Sequence, residues 1–178
     1  DGVRNSVGFD WHPETKEMYF TDNGRDWMGD DIPPCELNRV VNAGDHFGFP
    51  FIHGKNIPDT GYEAPKDFVF SQPVWEFQAH TAPLGIKFYD GESFPEYYKN
   101  GAFVAQHGSW NRSEKVGYRL LFMKMEEGDV VSADVFIDGW MSNETSWGRP
   151  VTPLILKDGS MLISDDQADS IIRVTYKG

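Results

Sequence analysis

Leu84-Gly85-Ile86-Lys87-Phe88-Tyr89, the turn Asp90-Gly91, and then Gly101-Ala102-Phe103-Val104-Ala105-Gln106-His107-Gly108 read as two strands with a punctuated connection between them. Alternating or continuous apolar runs bounded by Asp-Gly and Asn-Gly are strand-and-turn chemistry. The same plan occurs on both sides. Upstream, Val7-Gly8-Phe9-Asp10-Trp11 leads through His12-Pro13-Glu14-Thr15-Lys16 into Met18-Tyr19-Phe20-Thr21-Asp22-Asn23-Gly24. Downstream, Pro153-Leu154-Ile155-Leu156 leads through Lys157-Asp158-Gly159 into Met161-Leu162-Ile163-Ser164-Asp165-Asp166. Each unit is a strand, a turn and a second strand with a polar end.

A third strand follows in each unit, over residues 37–41, 118–125 and 170–176, and weaker fourth strands are predicted over 49–53 and 133–139. Units of three or four antiparallel strands recurring at roughly 70–80 residues suggest the blades of a β-propeller. A β-sandwich with similar hairpins is the alternative. The approximate blades are 1–75, 76–145 and 146–178, the last needing a strand from elsewhere.

Composition agrees with an all-β chain. Eighteen Gly and eleven Pro are dispersed along 178 residues and leave little room for long helices. Hydrophobic residues make up 39% and aromatics 15%, enough for a core. The formal net charge of −12 argues against nucleic acid, whose phosphates call for surplus Lys and Arg. No apolar run approaches the ~18–20 residues of a membrane-spanning helix. The chain begins Asp1-Gly2-Val3-Arg4 without a charged and apolar leader, so any targeting segment is expected upstream or already removed. The single cysteine, Cys35, excludes an internal disulfide; it is a buried thiol or the partner of a cysteine outside the chain.

Loops after the second strands, 25–36, 109–117 and 167–169, would cluster at one end of the blades, where sites are built. Arg4-Asn5 precedes the first hairpin; on its own it reads as a turn before a strand. Asp22, Asp26, Asp30 and Asp31 make the first loop anionic without the spacing of an EF-hand. Five histidines occur with no zinc-helix spacing. His12, in a hairpin turn, is expected to be solvated, whereas His80 and His107 lie at strand ends and are better site candidates. Trp75, Trp110 and Trp147 suit either stacking on a ligand or packing between blades. No phosphate loop, Rossmann fingerprint or nucleophile elbow is present.

Gly2-Val3-Arg4-Asn5-Ser6-Val7-Gly8-Phe9-Asp10-Trp11-His12-Pro13, Thr21-Asp22-Asn23-Gly24-Arg25-Asp26, Phe47-Gly48-Phe49-Pro50, His80-Thr81-Ala82-Pro83-Leu84-Gly85, Phe103 to Arg112 and Gly148-Arg149-Pro150-Val151 together resemble the glucose/sorbosone dehydrogenase family, in its order and over essentially the whole chain. The likeness is strongest to the sorbosone-dehydrogenase-like branch. It implies a six-bladed propeller that binds pyrroloquinoline quinone (PQQ) and Ca²⁺ and moves hydride from a sugar to the quinone. About three blades, the C-terminal half, would be present. The rest would come from a missing N-terminal half or from another chain.

By the same resemblance, Arg4, Asn5 and Arg149 contact the cofactor, and Arg112 compensates where Trp147 replaces a family arginine. The main-chain carbonyls of Gly24 and Arg25 would hold calcium, with Arg25 standing where the glucose dehydrogenases have Pro. The family's base histidine falls outside this chain, leaving His107 as the candidate within it. Electrons would pass to a cytochrome or quinone, in a periplasmic or secreted setting. The alternatives are a non-catalytic propeller that binds a protein or carbohydrate, and a calcium-stabilised structural propeller.

Overall fold

The computed structural model describes residues 1–178. The first sheet contains β1 (Phe9–Trp11), β2 (Met18–Asp22) and β3 (Cys35–Val40). A two-stranded hairpin, β4 (Ile52–His53) and β5 (Ile57–Pro58), is inserted before its fourth strand, β6 (Trp75–Phe77). The second sheet runs β7 (Pro83–Phe88), β8 (Ala102–Gln106), β9 (Arg119–Glu126) and β10 (Asp129–Ile137). A short hairpin of β11 (Met141–Ser142) and β12 (Thr145–Ser146) leads to the third sheet, β13 (Pro150–Ile155), β14 (Met161–Asp165) and β15 (Ser170–Val174). All strand pairing is antiparallel, and the only helix is one 3-10 turn at Glu96–Tyr98. This is the architecture of part of a β-propeller of the quinoprotein glucose dehydrogenase type.

Because side chains alternate across a strand, the middle sheet decides the packing. Ala102, Val104, Leu121 and Met123 face the first sheet and join Tyr19, Cys35, Leu37 and Phe77 in one core. Phe103, Ala105, Leu120 and Phe122 face the third sheet and pack with Trp140, Met161 and Ile163 in another. That is why Ala102-Phe103-Val104-Ala105 is apolar throughout: a strand covered on both faces has no solvent side to make polar. The outer faces expose apolar side chains, Phe9 and Trp11 on one flank and Leu154 and Ile171 on the other.

The inner strands approach closely. A Cβ at Gly8 would lie 2.8 Å from the Gly85 Cα, and one at Gly85 would lie 2.5 Å from the Thr152 Cα. Polar links reinforce this contact. Asp10 accepts from the Phe88 N–H at 2.8 Å and pairs with Lys87 at 2.9 Å, and the Tyr19 hydroxyl donates to the Gly128 carbonyl at 2.6 Å.

Two expectations change. The fourth strand of the first sheet is β6, paired through Trp75 with Leu37, and not residues 49–53. Pro50 lacks the N–H a ladder needs, and Gly48 and Gly54 adopt positive φ on either side, so this stretch supplies only a turn and the β4–β5 hairpin. His12 is buried, not solvated. Its Nδ1 accepts from the Glu14 and Thr15 N–H groups, its ring meets Phe88 edge-on at 5.1 Å, and burial lowers its pKa.

Candidate functional site

The ends of β2 and β3 open onto a cleft of about 170 Å³ between the first and second sheets. Arg4, Asn23, Gly24 and Asp26 line one side, and His80, Ala82, Leu84 and Trp110 the other. The Asp22 carboxylate, buried at the end of β2, builds this arrangement by accepting the Arg4 N–H at 3.0 Å and the Asn5 N–H at 2.6 Å. Burial raises the Asp22 pKa, while those N–H groups and the Arg4 charge act against the rise. The segment before β1 is thereby tied to the loop after β2. Asn23 returns the link, donating both its N–H and its side-chain amide to the Asn5 carbonyl.

The Arg4 guanidinium then spans the cleft floor. Nη1 donates to the Asn23 carbonyl at 3.1 Å and the Gly24 carbonyl at 2.9 Å, and Nη2 reaches the Asp26 carboxylate at 3.3 Å. His80, from the turn before β7, donates from Nε2 to the Gly29 carbonyl at 2.7 Å; its Nδ1 stands 4.0 Å from Asp26. The buried Asn23 Oδ1 has no partner. Cys35 is a buried free thiol at the cleft, accepting the Gly24 N–H at 3.4 Å, and burial raises its pKa.

These donors fit the cofactor pair in part. Of the two carbonyls expected to hold calcium, that of Gly24 is on this floor beside the Asp26 carboxylate, and these are hard oxygens of the kind calcium takes, both facing Arg4. A planar guanidinium beside them suits an acidic or quinone oxygen. Arg25 sends its side chain away from this floor, into an ion pair with Asp59, which also lies 2.8 Å from His53 Nε2.

Arg112 and Arg149 do not line this cleft. Arg112 crosses from the second sheet's loop to the Asp30 carbonyl and, at 3.0 Å, the Asp31 carboxylate. Arg149 donates from Nε to the His107 carbonyl at 3.0 Å and from Nη2 to the Gly108 carbonyl, with its guanidinium 5.5 Å from the Tyr118 ring centre. His107 and Gly108 follow β8 as Asn23 and Gly24 follow β2, so a carbonyl pair held by an arginine recurs in two sheets. His107 Nε2 meets the Asp166 carboxylate at 2.9 Å, and that bond lowers the Asp166 pKa.

Two residues behind the cleft were given no role by the sequence, although Glu36 lies in Glu36-Leu37-Asn38, which shares in the family resemblance. Glu36 lies directly opposite Asp22 in the β2–β3 register and is buried. Its oxygens accept from the Gly54 N–H at 2.6 Å and the Asn38 amide at 2.9 Å, and burial pushes its pKa up to about 7. Asp59 is buried in the loop beyond β5; burial opposes its charge, but Arg25, His53 and the Gly61 N–H outweigh that and hold its carboxyl well below the usual range.

An uncharacterized protein of Borreliella burgdorferi is 45% identical over 181 residues, which cover 99% of this chain and 48% of that protein. The chain thus spans about half the length of the curated relative it matches. Among solved structures, the calcium structure of the Trichoderma reesei carbohydrate-active enzyme of family AA12 superposes with a TM-score of 0.77 at 22% identity, covering 97% of this chain and 52% of that one. The holo pyranose dehydrogenase PQQ domain of Coprinopsis cinerea gives 0.67 at 17% identity, over 98% and 54%. The apo soluble aldose sugar dehydrogenase of Escherichia coli gives 0.67 at 18%, over 97% and 44%. These likenesses establish the propeller fold. The family model described as TrAA12-like matches residues 38–176, most of the chain, and the chain therefore belongs to the TrAA12-like family.

Proposed function

We propose that this chain is the C-terminal half of a PQQ- and Ca²⁺-dependent sugar dehydrogenase of the sorbosone-like branch, with the remaining blades supplied by an N-terminal half or another chain. The supporting observation is the convergence of Arg4, the Asn23 and Gly24 carbonyls and Asp26 on one cleft floor. Held there, the quinone would supply a two-electron acceptor for oxidation of the sugar, and calcium a Lewis acid. Arg4 would pair with the cofactor's acidic or quinone oxygens, and Asn5 would hold the strand entry against Asn23. Gly24 and Arg25 would offer main-chain oxygen to calcium, while Asp22 fixes their loop through its bonds to the Arg4 and Asn5 N–H groups.

Arg149 and Arg112 would hold the second sheet's loop in place, and His107, paired with Asp166, would stand at the neighbouring blade end as a proton acceptor. The acidic surface would receive a basic cytochrome, or a soluble quinone would take the electrons, in the periplasm or outside the cell.

The test is titration of the protein with pyrroloquinoline quinone in calcium, followed by quinone absorbance, and dye-linked aldose oxidation by the full-length form. Binding that Arg4→Ala weakens about tenfold or more supports the proposal; no binding by the parent protein overturns it. The chain by itself is expected to turn over little sugar. The second reading, a propeller that binds carbohydrate without redox turnover, draws on the engagement of Arg149 and Arg112 by main-chain carbonyls and on Trp147 standing where an arginine is expected. Sugar binding without quinone binding would favour it.

A further inference from the structure

The loop of residues 25–34 joins β2 to β3 by way of the second sheet, and none of its residues enters a backbone–backbone hydrogen bond. Its middle is held instead by contacts with side chains and one N–H of the neighbouring sheet's loops. We propose that residues 27–32 form a strap that gates the cofactor cleft, with Arg112 as its catch. The proposal rests on the reading above only for the identity of the ligand that enters.

Four contacts close the strap. Arg112, from the loop after β8, donates through Nη1 to the Asp30 carbonyl and, at 3.0 Å, to the Asp31 carboxylate. The Ser113 N–H lies 3.2 and 3.3 Å from the two Asp30 carboxylate oxygens, and His80 donates to the Gly29 carbonyl at 2.7 Å. Trp27 meets Trp110 edge-on at 6.0 Å. His80 and Trp110 are themselves walls of the cleft, so the strap is fastened to the side opposite its root at Asp26.

The closed state is poised to open. No residue of 27–32 is buried, and Trp27 is 79% exposed, so release uncovers little apolar surface. The Asp31 side chain is 85% exposed, and a surface pair of this kind exchanges readily for water. Two features carry a cost that opening removes. The Arg112 Nε is buried without a partner, and Trp27 sits at φ 67°, a left-handed conformation seldom adopted by a bulky side chain. Gly29, at φ 110° with no heavy atom within 4 Å of where a Cβ would stand, gives the strap a free hinge. The two ends are firmer. Arg4 holds Asp26 at 3.3 Å, Asp59 holds Arg25, and Cys35 is paired in the ladder with Phe77.

The chain carries its own reporters. Cys35 is the only cysteine, lines the cleft and is 2% exposed, so its labelling by a maleimide measures access. Exciton coupling of Trp27 with Trp110, taken from circular dichroism after subtraction of the Trp27→Phe spectrum, measures closure. Arg112→Ala in the whole chain is expected to label about tenfold faster, to lose most of that coupling and to melt near the parent. Asp31→Ala, at an exposed position that does not threaten folding, should accelerate labelling about threefold. Lys87→Ala breaks an ion pair with Asp10 outside the cleft and should change neither signal. Labelling unchanged in Arg112→Ala and Asp31→Ala, coupling that survives Arg112→Ala, or equal acceleration in Lys87→Ala overturns the strap. Quinone titration of the parent keeps the two readings apart. Arg112-dependent labelling without quinone binding removes the redox function and leaves the strap; quinone binding with Arg112-independent labelling does the reverse.

Discussion

The Arg4 guanidinium donates to the main-chain carbonyl of Gly24 at 2.9 Å, so a fixed cation sits on an oxygen proposed to hold calcium. Arg4 and calcium therefore compete for the same oxygen, while Arg4 and an acidic cofactor attract. Arg4→Ala should raise calcium affinity severalfold in the absence of quinone, because the carbonyl and the Asp26 carboxylate lose their cation. The same substitution should weaken quinone binding roughly ten- to hundredfold, the worth of about 1.5–3 kcal/mol for a charged hydrogen bond. Calorimetric titration with calcium and absorbance titration with quinone measure the two effects; weaker calcium binding would refute the competition.

Glu36 makes stability fall with rising pH. Its pKa is raised from 4.5 to about 7 by burial, so between those values the folded chain holds a proton that the unfolded chain has released. The stabilising contribution is complete below pH 4.5 and is lost as pH rises through 7, at a cost of about 3 kcal/mol. Glu36→Gln should flatten that slope and leave the variant more stable than the parent at pH 8. The amide can keep the Gly54 bond and, with the Asn38 amide turned over, donate to the unpartnered Asn38 Oδ1. Urea denaturation from pH 4.5 to 8 is the check, and parallel profiles would contradict it.

Asp59 works in the opposite direction. Arg25, His53 and the Gly61 N–H hold its carboxyl below the ordinary value of 3.8, so its contribution is present above that value and is lost as pH falls further. Asp59→Asn should destabilise the chain by about 3 kcal/mol at pH 7, the lower end for breaking a buried pair, since Arg25 is a third exposed. The gap between variant and parent should begin to narrow as pH falls below 3.8 and close only once the folded carboxyl itself protonates, well below that value. Equal stability at neutral pH would mean that Arg25 and His53 find other partners.

Much of this architecture was legible in local pattern. The three hairpins carry their own turn chemistry, and Ala102-Phe103-Val104-Ala105 marks itself as a doubly covered strand by lacking polar alternation. The first sheet's fourth strand was not legible. Trp75-Glu76-Phe77 is three residues long and pairs with Cys35-Glu36-Leu37 across an intervening hairpin, leaving neither length nor proximity as a signal. His12 was misjudged because a turn residue is ordinarily wet; here its ring nitrogen caps the turn while Phe88 covers it. In the site, Arg4 and Gly24 could be placed through family resemblance. Asp59 and His53 could not, since a loop residue and the end of a two-residue strand meet each other and Arg25 only through tertiary contacts that no periodicity encodes.

Arg149 offers the sharpest separation of structural from cofactor roles. Its Nε and Nη2 fork onto the successive carbonyls of His107 and Gly108, joining the approach to β13 to the end of β8. Lysine carries the charge but is a point donor without the planar fork. If the residue is a brace between sheets, Arg149→Lys should cost about 1.5–3 kcal/mol in stability, the range for losing a charged hydrogen bond. It should also speed amide exchange in β13–β15 more than in β7–β10, because the third sheet would open separately. If instead Arg149 turns to a cofactor carboxylate when the quinone binds, the lysine variant should keep its stability and exchange pattern and lose quinone affinity. Hydrogen exchange and quinone titration on the same sample therefore give opposite outcomes for the two roles. The existing engagement of both carbonyls favours the brace.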